Sequence, residues 1–156
     1  MKKEQIIDHH ESFKVWLNEL KQISEEEWIQ PMEEGKWSIA ANVSHIIKWD
    51  QYSLREILPH AKEGVELIPF PDFQEFNGAA EEYAHRVANQ EGLIEEGVQT
   101  RDELITYVKG LSDDDFRQAF KVGDQSFTLE EFFEDFIGHD KHHQEQIEEV
   151  VSAEKA

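Results

Sequence analysis

The chain has 156 residues, the size of a single domain, and its 15 Lys and Arg against 35 Asp and Glu leave a formal net charge of −20. That balance excludes the cationic face with which a nucleic acid or an anionic membrane surface is bound. Cysteine is absent beside eight His, which excludes disulfides, thiolate nucleophiles, zinc fingers and iron–sulfur clusters and leaves imidazole, carboxylate or water to hold any metal.

The first helix is predicted over residues 4–23, where Ile6, His10, Phe13, Leu17 and Leu20 recur at steps of three and four with Trp16 beside the stripe. Ser24 and Glu27 form a capping-box pattern for a short extra turn, and Pro31 with Gly35 breaks the chain. Ser38 is the expected N-cap of a second helix that runs to about Leu58, where Pro59 stops it. A long extended connection follows between His60 and Phe76, marked by Gly64, Pro69 and Pro71, and connections of that length are more often functional or forced by topology than idle. A third helix is predicted from Asn77 to about Gly110, with a kink or break near Gly92 and Gly97. Ser112 to Asp115 opens a short turn, KVGDQSF carries the Gly-Asp chemistry of a tight reversal, and Thr128 with Glu131 caps a last helix reaching about Val150.

With no repeat, low-complexity tract or linker, the whole chain, residues 1–156, reads as one all-α domain, a four-helix bundle with a long crossover between helices 2 and 3. A hydrophobic fraction of 38%, rich in Phe and Trp, supports a real core. The runs EEE at 25–27 and DDD at 113–115 read as solvated surface. No window approaches the roughly eighteen apolar residues of a membrane span, and no apolar run follows the N-terminal lysines, so a soluble, cytoplasmic protein is expected.

Histidine placement is the most informative pattern. The inward stripe of the last helix, Leu129, Phe132, Phe133 and Phe136, continues to Ile147 and Val150 through His139 and His143, which are i and i+4 on one face and able to share an ion. In the second helix His45 lies on the line Ser38, Ala41, His45, Trp49, Tyr52 and is expected to be enclosed. Three buried, neutral imidazoles converging from two helices are what an open three-coordinate metal site needs. Imidazole suits zinc, nickel, iron or copper, with zinc and nickel foremost. His142 points about 100° from His143, and His9, His10, His60 and His85 read as structural or unpartnered. A zincin site would need Glu where Asp140 stands, and a ferritin-like di-iron site would need more than the single ExxH of Glu82 and His85. Asp50, Asp140 and Gln146 are candidate supports for the ligands, Trp37, Trp49 and Phe76 candidate linings of the pocket mouth, and the connection from Ala61 to Phe76 a candidate cover or dimer surface. No residue stands out as a general base.

GKWSIAANVSHIIKWD, DFQEFN and GHDKHHQEQI, in this order and separation, resemble the DinB and YfiT-like superfamily of small bacterial metal-binding proteins. The resemblance implies an up, down, down, up bundle with a divalent ion held by His45, His139 and His143. It also implies a metal-dependent hydrolase, or a transferase using a low-molecular-weight thiol such as bacillithiol, acting on a small-molecule substrate, and often a homodimer. Without Cys in the chain, such a thiol would arrive as a cosubstrate. The alternative from another class is a metal-stabilised bundle that binds a ligand or partner without turning it over.

Overall fold

The computed structural model describes residues 2–155, with side chains to Ser152. Its elements are α1 (Lys3–Glu19), α2 (Glu25–Ile29), α3 (Ile39–Tyr52), β1 (Glu66–Leu67), α4 (Phe73–Arg86), α5 (Gln90–Lys109), α6 (Asp113–Phe116), β2 (Ala119–Val122), β3 (Gln125–Thr128) and α7 (Leu129–Lys155). α1, α3, α5 and α7 form the bundle, and inter-helix contacts fix their directions. Lys3 reaches the carbonyls of Lys109 and Leu111 while Lys21 reaches Glu95, so α1 and α5 are antiparallel. Asp50 bonds Arg101 and the Leu58 carbonyl accepts from Tyr107, so α3 and α5 run the same way. His143 meets Asn42 and His139 faces His45, so α7 opposes α3. The order is up, down, down, up. Among the described residues no helix is long and apolar enough to cross a membrane.

The expected caps form. Ser24 and Ser38 accept from the amides of Glu27 and Ala41, and Thr128 and Glu131 close a reciprocal capping box. The acidic triplets occupy the first turns of α2 and α6, where the exposed amide ends of a helix favour negative charge.

The segment 77–110 departs from the expected single kinked helix. It is two helices that reverse direction. α4 starts four residues earlier than predicted, at Phe73 behind the Asp72 cap, and runs antiparallel to α3, pairing Asn77 with His45, Ala80 with Ser44 and His85 with Ser38. The chain turns at residues 87–89, and Asn89 caps α5 by accepting from the Gly92 amide at 2.7 Å. Neither glycine is a hinge: a Cβ on Gly97 would lie 2.8 Å from Ile47 Cδ1 and 3.1 Å from Leu17 Cδ1, so this glycine lets α5 close against α1 and α3. The end of the second helix also differs. α3 passes through a π-turn at Ser53–Ile57 and a 3-10 turn at Leu58–His60 that contains Pro59.

The tight reversal in KVGDQSF is a two-residue hairpin between β2 and β3, pairing Phe120 with Phe127, with Gly123 at φ 60° in its first turn position. β1, from the crossover, adds parallel to β2, giving a three-stranded sheet in the order β1-β2-β3 that pins the crossover to the bundle.

The apolar core is in two parts. Phe13, Leu17, Ile47, Leu93, Ile94 and Ile147 belong to one, and Ile6, Ile57, Leu104, Phe120, Phe133 and Ile137 to the other. Between them each bundle helix contributes one polar residue to a buried layer: His10 from α1, Asp50 from α3, Arg101 from α5 and Asp140 from α7.

Candidate metal centre

The buried layer is organised by Arg101, which is only 1% exposed. Its Nε donates to Asp50 Oδ2 at 2.8 Å, its Nη1 and Nη2 donate to the two oxygens of Asp140 at 2.6 and 2.9 Å, and Nη1 also donates to His10 Nδ1 at 3.0 Å. His9 Nε2 bonds Asp140 Oδ2 at 2.9 Å, and the guanidinium lies 3.9 Å from the centre of the Phe13 ring. Arg101 and His9 hold the Asp140 carboxyl well below the usual carboxylate range despite its burial. Asp50, equally buried and with a single bond to the guanidinium, is pushed up to about 7 by desolvation. Burial, then the Arg101 charge, lowers His10 to about 3. His9, His10 and Asp140 have the composition of a metal site, but the cation among them is the guanidinium.

Asp50 and Asp140 are therefore engaged by Arg101 rather than by the ligand candidates, a correction to their expected supporting role. Consecutive residues of a helix point about 100° apart, so His139 can face one side of α7 while Asp140 enters the bundle. Arg101 itself lies on the inward line Ile94, Gly97, Arg101, Leu104, Val108 and was missed, although the periodicity that singled out His45 would have found it.

His45, His139 and His143 come together, each offering a ring nitrogen within 4.8 Å of the other two. Their ring centres are 5.3 Å apart for His45 and His139, 4.9 Å for His45 and His143, and 4.5 Å for His139 and His143. His45 and His143 are 6% and 8% exposed, whereas His139 is exposed and the stripe turns outward around it: Phe136 is only half-buried, and Ile137 and Asp140 take the inward positions. One of the three imidazoles thus faces outward, where all three were expected to be enclosed.

Hydrogen bonds fix which nitrogen of the buried pair is free. His45 Nδ1 lies 2.9 Å from Asn77 Oδ1, and the same atom accepts from the Trp49 indole at 2.8 Å. An indole nitrogen only donates, so the atom it meets is the amide oxygen, and His45 Nδ1 must carry its proton. His143 Nδ1 lies 3.1 Å from Asn42 Oδ1, whose amide nitrogen donates to the Ser38 carbonyl at 3.0 Å, which assigns Oδ1 to face His143. Both rings are left with a bare Nε2. His143 Nε2 faces His139 Nε2 at 3.4 Å, two basic nitrogens that need a proton or a cation between them. Burial lowers His45 and His143 to about 4, and lowers His139 too, so the set is neutral near pH 7. Neutral imidazoles, two of them with fixed tautomers, fit a divalent d-block ion.

Two cavities border the histidines. An apolar one of about 310 Å³ reaches His45 and His139 and is lined by Trp49, Phe70, Phe73, Phe136, Asn77 and Asp135. A more polar one of about 430 Å³ reaches His143 and includes Trp37, Lys36, His142 and Gln146. Trp37 and Trp49 thus line different cavities, with Trp37 5.2 Å from the His45 ring, while Phe76 packs behind Trp49 at 4.1 Å. The crossover supplies Phe70 and Phe73 as partial cover, and Gln146 borders the polar cavity. His85 bonds Ser38 at 2.7 Å and His60 is exposed, so neither joins the centre. Phe70 is one of the apolar residues of the connection expected as a cover, whereas Asn42, Asn77, Phe73 and Asp135 were not singled out individually by sequence reasoning. DFQEFN marked the right segment, but nothing in spacing identifies an asparagine as a ligand's partner.

No relative among curated proteins matches the sequence. Among solved structures the chain is similar to YfiT from Bacillus subtilis, described as "a probable metal-dependent hydrolase with an unusual four-helix bundle topology". The TM-score is 0.82 at 19% identity, over 99% of this chain and 88% of that one. At that identity the likeness concerns the fold. The family model of the DinB superfamily matches residues 9–147, and with that span the chain belongs to the DinB superfamily.

Proposed function

We propose that the protein is a metal-dependent hydrolase in which His45, His139 and His143 hold one divalent ion, zinc or nickel, with a coordination position left open. The observation that carries this reading is the convergence of the three imidazoles, two of them with Nδ1 committed to amide oxygens. The description of YfiT supports the reaction class. A divalent ion among three neutral ligands keeps its full charge and supplies Lewis acidity to a carbonyl oxygen or to a nucleophile. The chain's residues do the rest. Asn77 and Asn42 orient His45 and His143, and burial keeps both neutral. Trp49, Phe70 and Phe73 restrict water on one side, and Asp135, one turn before His139 on the same cavity wall, is the carboxylate available to take a proton.

A second reading, transfer to a small thiol, is favoured by the polar cavity at His143, which leaves room for a cosubstrate on the side away from the aromatic rings. One experiment separates the readings. Protein purified without a tag or chelating resin is titrated with zinc and nickel by calorimetry, and the loaded protein is assayed against neutral esters, amides and lactones with and without small thiols. One equivalent of metal, lost in His45→Ala and His143→Ala, with hydrolysis that needs no thiol, is expected. Thiol-dependent turnover moves the assignment to transfer. Tight metal binding with no turnover moves it to a binding protein, and failure to bind near one equivalent overturns the site.

A further inference from the structure

The aromatic residues beside the histidines form a connected group. The Trp49 ring lies 6.1 Å from Phe70, 5.5 Å from Phe73 and 4.1 Å from Phe76, and Tyr52 lies 5.9 Å from Phe76. Most of these contacts are edge-to-face, the arrangement preferred by packed aromatic rings. Yet the group is not core. Phe73 is 56% exposed, and Trp49, Tyr52, Phe70 and Phe76 are all only partly buried. Trp49, Phe70 and Phe73 border open volume instead of filling it.

That volume has a chemistry and a size. Its wall is apolar apart from the histidines, Asn77 and Asp135. The Asn77 oxygen already receives two hydrogen bonds, from His45 and Trp49, so it offers a substrate little. Asp135, in a chain with a net charge of −20, disfavours an anionic substituent. About 310 Å³ is at the small end of the range for small-molecule sites, about 300–1,000 Å³, and suits one ring or a branched chain. Because His45 and His139 lie in the same wall, a molecule that presents an atom to them from this side lays its remainder against the rings.

We propose that the cavity bounded by Trp49, Phe70, Phe73 and Phe136 is the specificity pocket of the site, taking an uncharged aromatic or branched apolar group attached next to the atom that faces the histidines. The pocket is shared between α3, which gives Trp49, α7, which gives Phe136, and the end of the crossover, where Phe70 precedes α4 and Phe73 begins it. Sugar-like substituents find few polar partners there, and carboxylated ones meet the charge of Asp135.

This proposal rests on the reading of the histidines as metal ligands, and its test distinguishes the two. Acetohydroxamate and benzohydroxamate share a metal-chelating head and differ in the group beside it. Their affinities for the zinc-loaded and metal-free protein are measured by calorimetry, together with that of 4-carboxybenzohydroxamate. Benzohydroxamate is expected to bind about tenfold or more tighter than acetohydroxamate, and the carboxylated form to lose that advantage. In Phe70→Ala and in Phe73→Ala, the latter at an exposed position where folding is not at risk, the ratio falls towards one while acetohydroxamate affinity holds. Equal affinities for the two heads, or a ratio that both variants leave unchanged, overturn the pocket and leave the metal reading standing. Absence of zinc-dependent binding by either hydroxamate overturns both.

Discussion

Asn42 and Asn77 direct His143 and His45 with neutral oxygens where many metal sites use carboxylates, so the proposed ligands are oriented without any negative charge being added to them. Replacing either asparagine with leucine removes the acceptor. Zinc affinity should fall about 10- to 100-fold, read by competition with a chromophoric chelator, with an unchanged far-ultraviolet spectrum. Protonation of the buried layer gives a prediction with two opposite signs. Burial holds His10 at about 3, so the unfolded chain binds the extra proton below the ordinary value of 6.5 and stability falls as pH drops from there. Asp50, pushed up to about 7, behaves oppositely: its contribution is complete below the ordinary value of 3.8 and is lost as pH rises through 7. In metal-free buffer, stability should climb with pH more steeply in Asp50→Asn than in the native chain between about 4 and 7, and less steeply in His10→Gln. Urea midpoints across that range check it. At this scale the sequence exposes a residue when its type conflicts with its position. His45, His139 and His143 interrupt apolar lines and were legible for that reason, and Arg101 was equally legible. Asn42 and Asn77 conflict with nothing, because a polar residue beside a helix stripe is ordinary; only the fold reveals what each one faces.

Among the elements, the crossing of α5 over α1 and α3 depends on Gly97, and the register of all four bundle helices depends on Arg101. An alanine at position 97 would press its Cβ on Ile47 and Leu17 in a closely packed core. Gly97→Ala should cost about 1–3 kcal/mol in urea unfolding, the usual penalty for overpacking. Arg101→Met leaves two buried carboxyl groups without their cation and should cost about 3–5 kcal/mol. The helices themselves were legible from period and caps, because Ser24, Ser38 and Thr128 sit where the first unpaired amides need an oxygen. The reversal at 87–89 was not. The apolar spacing on its two sides is compatible with one continuous helix, and the Asn89 cap resembles any surface asparagine until α4 is seen folded back on α3. The sheet escaped for a related reason: strands of two and four residues are too short for alternation to outweigh the helical signals around them.

For the molecule as a whole, the layer of His10, Asp50, Arg101 and Asp140 joins four helices without any metal, so the fold should stand on its own. Chelation of zinc should leave helical content intact and lower the melting temperature only by the binding linkage, a few degrees, unlike a zinc finger, which unfolds. The charge of −20 acts in the opposite sense to packing, through self-repulsion over the surface. Raising sodium chloride from 10 to 150 mM should therefore raise the melting temperature of the metal-free protein, because screening weakens repulsion between exposed carboxylates. The same salt step weakens loose cation binding by surface carboxylates and spares a site of neutral nitrogens, so it sharpens the metal titration.

Trp49 and His45 donate to the same oxygen of Asn77. Whatever draws electron density from the His45 ring strengthens its N–H as a donor and competes with the indole for that acceptor. An ion held by His45 would thus be felt by the Trp49 indole through Asn77, beside any effect on Trp37 at 5.2 Å from the same ring, and the difference spectrum between the native chain and Trp49→Phe isolates the Trp49 part. Addition of zinc to the metal-free protein should therefore change that component of the emission, and an unchanged difference spectrum at one equivalent would count against an ion on His45.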